Sequence, residues 1–172
     1  MTDLPPEGAP AAEARPQFRA LMQYVRDMSF ENPGAPGSLR PGQPQPQIQL
    51  NIDLGARRVD AEADEVSMRI RATGKRGEET VFIAELLYAG LFAFRNMSDT
   101  DRQVMHMIEC PRLLFPFARQ ILADMTRDGG FPAVVLEPID FASLYRARLQ
   151  RQQEEAAPGG QPAGGGETPT SN

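Results

Sequence analysis

The chain has no tryptophan, one cysteine and one histidine. A single cysteine excludes an internal disulfide framework and fits a reducing compartment. His106 and Cys110 stand four apart and would share a helix face, but no second pair accompanies them, whereas a structural zinc normally takes four ligands. As a nucleophile and base the same two lack an evident orienting carboxylate or oxyanion site. There is no GxxxxGK[ST] phosphate loop; the glycines of GKRG (74–77) and DGG (128–130) do not make one. An excess of positive charge is also missing. Lys and Arg total 18 against 23 Asp and Glu, a net charge of −5, which argues against nucleic acid or an anionic membrane as partner. No window reaches the roughly 18 uninterrupted apolar residues of a membrane helix. The opening MTDLPPEGAPAAEARP carries acidic residues and no apolar run, unlike a secretory signal. These absences leave a soluble cytosolic protein with no catalytic constellation and no implied cofactor.

What is present has the length of one domain, 172 residues. The 16 prolines and 15 glycines cluster at the two ends and between 32 and 46. Residues 1–16 and the Gly/Pro-rich stretch 151–172 are expected to be disordered tails around a folded part at 17–150. Within it, Ile48, Leu50, Ile52 and Leu54 alternate with polar residues over 47–54, as do Val66, Met68 and Ile70 within 64–73. After the turn GKRGEE comes ETVFIAELLYA (79–89), a long strand apolar on both faces. The first segment, 17–31, is ambiguous. Phe18, Leu21, Met22 and Val25 suit a helix face, yet Phe18, Ala20, Met22, Tyr24, Met28 and Phe30 keep a period of two broken only by Arg26, which favours a strand. Four successive strands with short turns imply an antiparallel sheet. A helix then starts near Pro111, carries Leu114, Phe117, Ala118, Ile121, Leu122 and Met125 on one stripe, and stops at Gly129-Gly130. A second follows with Asp140 as N-cap. The expected fold is α+β, a four-stranded antiparallel sheet followed by two helices. The apolar surplus of 79–89 should be exposed in a monomer, which points to an oligomer.

Three segments, in order, carry a resemblance: DMSFENPGAP (27–36), GEETVFIAEL (77–86), and CPRLLFPFAR (110–119) followed by GGFPAVVLEPIDFASLY (129–145). Together they resemble the SecB family of bacterial protein-export chaperones. The resemblance implies a homotetramer, built as a dimer of dimers, without enzymatic activity. Such a protein holds unfolded secretory precursor proteins without ATP and delivers them to the SecA ATPase of the translocon. It also implies that the zinc-bearing tail of SecA docks on an acidic sheet face, at positions matching Asp27, Glu31, Ile83 and Glu85. All four are odd-numbered and so share a side within each strand, opposite Met28, Phe30, Phe82, Ala84, Leu86 and Tyr88. Ala84, Leu86 and Tyr88 match positions that set the tetramer contact. Leu39, Phe92, Phe94, Leu144 and Tyr145 are candidates for client binding, although the loop 32–47 lacks the aromatics often found there and offers only Leu39. The eight methionines suit either core filling or an adaptable binding surface. An alternative reading is a SecB-like partner dedicated to one client, such as a toxin.

Overall fold

A computed structural model describes residues 15–156. The elements are β1 (Gln17–Glu31), a 3-10 turn (Gly37–Leu39), β2 (Gln47–Arg58), β3 (Ala63–Arg76), β4 (Glu79–Arg95), α1 (Asp99–Met107), α2 (Glu109–Asp128) and α3 (Phe141–Ala156). The strands form one antiparallel sheet in the order β1-β4-β3-β2. The expected tails at 1–16 and 151–172 lie mostly outside the described residues; α3 carries regular helix past 150 to Ala156.

β1 is a strand, and its mixed pattern has a cause. The register with β4 shifts between Ala20 and Met22 and again between Val25 and Asp27. Each shift inserts one residue and turns the following side chains to the other face. Phe18 pairs with Phe94 and Phe30 with Ala84 on the inner face, while Met22 pairs with Leu91 and Tyr24 with Ala89 on the outer one. The first bulge therefore lets Phe18, Leu21, Met22 and Val25 imitate helical spacing within a strand.

On the inner face the even-numbered residues of β3 and β4 meet α2. Met68, Ile70, Phe82, Leu86, Leu114 and Leu122 are fully buried there. Pro116 lies inside α2 on its exposed side, where water can reach the carbonyl that the missing N–H leaves free. The end of α2 follows the Schellman pattern: the Phe131 N–H bonds the Thr126 carbonyl at 3.1 Å, the Gly130 N–H bonds that of Arg127 at 3.0 Å, and Gly130 takes φ +87°. Gly129 is required for a different reason, since a Cβ there would lie 2.1 Å from the Phe30 ring. Asp140 caps α3 as expected, its Oδ1 accepting from the Ser143 N–H at 3.0 Å.

Two expectations need correction. Among the described residues there are three α-helices, not two. α1 begins at Ser98, whose hydroxyl accepts from the Asp101 N–H at 3.1 Å. It is held by charge as much as by apolar contact: Arg102 reaches the Phe94 carbonyl at 3.1 Å and lies over the Phe94 ring, and His106 bonds buried Asp64 at 2.8 Å. The exposed apolar surface also lies elsewhere than on β4. Ile83 and Leu87 are half-buried, each flanked by longer polar neighbours such as Arg69 and Glu31. The large exposed apolar side chains include Leu21, Met22, Val25 and Met28 on β1, Ile48 and Leu50 on β2, Leu113 and Phe117 on α2, and Leu144 and Leu149 on α3.

Candidate functional site

The outer face of the sheet collects the four acidic-face residues. Register places Glu31 opposite Ile83, Ser29 opposite Glu85 and Asp27 opposite Leu87, so Asp27, Glu31, Ile83 and Glu85 share the side away from the helices. The second bulge precedes Asp27 and so leaves the parity of 27–31 intact. Asp27 and Glu31 are exposed and Ile83 and Glu85 half-buried, an apolar contact set among carboxylates. Glu85 forms an ion pair with Arg71 of β3.

A second feature of this face had no signal in the sequence. Glu65 is buried, and its carboxylate accepts from the Tyr24 hydroxyl, from Arg26 at 2.7 Å and from Arg57 through two bonds of 2.9 Å. Arg57 first, and then Tyr24, hold the Glu65 carboxyl down to about 2, while the same bond to Glu65 raises the Tyr24 phenol. The network crosses β4 over small Ala89 and ties the edge strand β1 to β3 and β2. Only the register, which brings residues 41 positions apart within bonding distance, creates it.

Inside, Ala84 and Leu86 are fully buried beneath α2 within this chain, and Tyr88 nearly so. Tyr88 alone reaches the surface region, with its ring 6.4 Å from that of Phe117. Phe117 and Leu113 are 54% and 40% exposed and point away from their own core, which makes α2 apolar on two sides. β1 adds an unpaired edge of 15 residues with four exposed apolar side chains.

The client candidates divide. Phe92 and Phe94 are fully buried and pack on Phe18 at 5.7 and 5.4 Å between centroids, so they fill the core and offer a client no surface in this chain. Leu144 and Tyr145 line a groove of about 600 Å³ between β2 and α3, with Ile52, Leu54, Met107 and Phe141. Leu39 sits apart from it, against Gly130 at the end of α2. A smaller groove of about 340 Å³ runs beside Met28, Phe30 and Met125. The methionines thus serve both purposes: Met68 is core, while Met28, Met107 and Met125 line grooves.

Cys110 is fully buried and its thiol is pushed up by burial and by the nearby Asp64 and Glu109 carboxylates, which leaves it unreactive. Among the described residues no group of three or more His, Cys, Asp or Glu could hold a metal ion. No helix among them is long and apolar enough to cross a membrane.

A sheet face with exposed carboxylates, apolar edges and shallow grooves with methionines in their lining are features of a protein that binds through extended surfaces. The family model described as preprotein translocase subunit SecB matches residues 11–152, and the chain belongs to the SecB family, a family of chaperones. A protein-export protein SecB of Maricaulis maris is 53% identical over 100% of both chains. Another, from Rhodopseudomonas palustris strain TIE-1, is 48% identical over 90% of this chain and 95% of its own. A SecB-like chaperone of Mycobacterium tuberculosis, solved in complex with a ChAD peptide from the HigA1 antitoxin, has a TM-score of 0.60 and 16% identity. That likeness covers 71% of this chain and 90% of the other and bears on the fold alone.

Proposed function

We propose that this protein is a cytosolic holding chaperone that keeps secretory precursors unfolded without ATP and passes them to SecA. The observation that carries the reading is the family match over 11–152 in a chain that keeps Asp27, Glu31, Ile83 and Glu85 together on one sheet face. A short basic peptide such as the SecA tail meets carboxylates that steer its approach and an apolar residue that anchors it. Clients take the other side, in the β2–α3 groove at Leu144 and Tyr145 and beside Leu39. Many weak apolar contacts on one assembly give affinity through multivalency with little sequence selectivity. The test is refolding of a slow-folding precursor on dilution, without nucleotide. Arrest at about one tetramer per client supports holding, and unhindered refolding beside an intact tetramer refutes it.

The assembly proposed is a homotetramer, a dimer of dimers. Two β1 edges pairing would extend the sheet and cover the exposed edge residues. The Leu113–Phe117 side of α2 then meets a second dimer. Ala84 and Leu86 act here from below, by seating α2, whereas Tyr88 borders the contact through Phe117. Phe117→Asp should split the tetramer, because burying a phenylalanine contributes roughly 1.5–3 kcal/mol per copy and a buried unpaired carboxylate opposes it. Light scattering at micromolar concentration should give half the wild-type mass; an unchanged mass would place the contact elsewhere.

A further inference from the structure

The three carboxylates of the docking face are not equivalent. Asp27 accepts only a bond from the neighbouring Met28 N–H, and Glu31 has no ion pair among the described residues. Glu85 is already occupied. Arg71, directly opposite on β3, donates from Nη1 to Glu85 Oε1. Both side chains stay accessible, at 51% and 33% exposure, so the pair can open. Arg69, two residues earlier on the same strand and face, lies opposite Leu87 and makes no ion pair among the described residues.

We propose that Arg71 is an internal competitor for Glu85, so that a basic side chain of the docking peptide must displace its guanidinium before it can use that carboxylate. This rests on the docking reading above. Arg71 thereby sets how tightly the face binds and what it binds. Asp27 and Glu31 receive the first charge contacts, and Glu85 engages only a cation placed well enough to win the exchange. A peptide that also offers an acceptor to the released guanidinium recovers the loss, so the preferred ligand carries a cation with a carboxylate or a free carbonyl close by.

The experiment is calorimetric titration of a synthetic SecA C-terminal tail, loaded with zinc, into the wild-type tetramer and into Arg71→Ala and Arg69→Ala. Both variants remove the same charge from the same strand and face. Exposed ion pairs are weak, so Arg71→Ala should tighten binding roughly two- to fivefold, with Arg69→Ala changing it clearly less. Equal gains in the two variants would mean a net-charge effect and overturn the proposal. So would unchanged or weaker binding to Arg71→Ala with its tetramer mass intact, and Arg71→Gln replaces that variant if the mass is lost. No binding by wild type would remove the docking reading itself, and the competitor with it.

Discussion

Asp27→Lys combined with Glu85→Lys should abolish SecA-dependent delivery while client holding survives. The two residues lie on β1 and β4 with their side chains on the outer face, opposite Leu87 and Ser29 respectively. Reversing both changes the local charge by four units at the site proposed to meet a basic peptide. Like charges across an interface cost several kcal/mol, enough to remove a contact of ordinary strength. The change leaves the β2–α3 groove alone, because neither residue nor a register partner of either lines it. Folding should tolerate it, since Asp27 is exposed and Glu85 makes only a half-exposed pair with Arg71. Translocation of a bound precursor into SecA-supplied vesicles measures delivery, and arrest of refolding measures holding. Loss of both together, or of neither, would contradict the separation of faces.

Glu65→Ala should be the most damaging single change on the outer face, lowering stability by roughly 2–3 kcal/mol. It leaves Tyr24 without its acceptor and frees Arg26 and Arg57 from the residue that joins β1, β3 and β2. The two arginines are half-exposed and rehydrate on release, which keeps the loss below that of a fully buried ion pair. The pH dependence has a definite sign. The folded carboxyl is held down to about 2 against an ordinary value of 4.5. Its contribution is therefore complete above about 4.5 and fades as pH falls from there toward 2. Denaturant midpoints of wild type and Glu65→Gln should differ most at neutral pH and converge below pH 3. A gap that stays constant across this range would mean that the charge of Glu65 is not what stabilises the sheet.

Alternation made β2 and β3 legible, although only in β3 is the apolar face fully buried, and β4 was legible as a long run apolar on both faces. The same rule placed Asp27, Glu31, Ile83 and Glu85 on one side, where the register puts them. It marked a break at Arg26, where the second bulge lies, but gave no sign of the first, since the insertion of Leu21 is visible only against a partner strand. α1 was missed because its apolar content is low and its anchors, Asp64 and the Phe94 carbonyl, come from other strands. Ser98 and Asp101 were the local signal for it, a capping pair three apart. β4 runs past 89 to Arg95 and α1 closes over Phe94, which puts the client-binding candidates Phe92 and Phe94 in the core. Glu65 could not be found from its neighbours at all, since an acidic residue in a strand is ordinarily solvated.

In the proposed mechanism docking and holding use different faces at the same time. The direct measurement is the affinity of the zinc-loaded SecA tail for the tetramer, alone and saturated with an unfolded precursor. The same dissociation constant within about twofold in both titrations is the predicted result. Displacement of the tail by the client, or of the client by the tail, would contradict it.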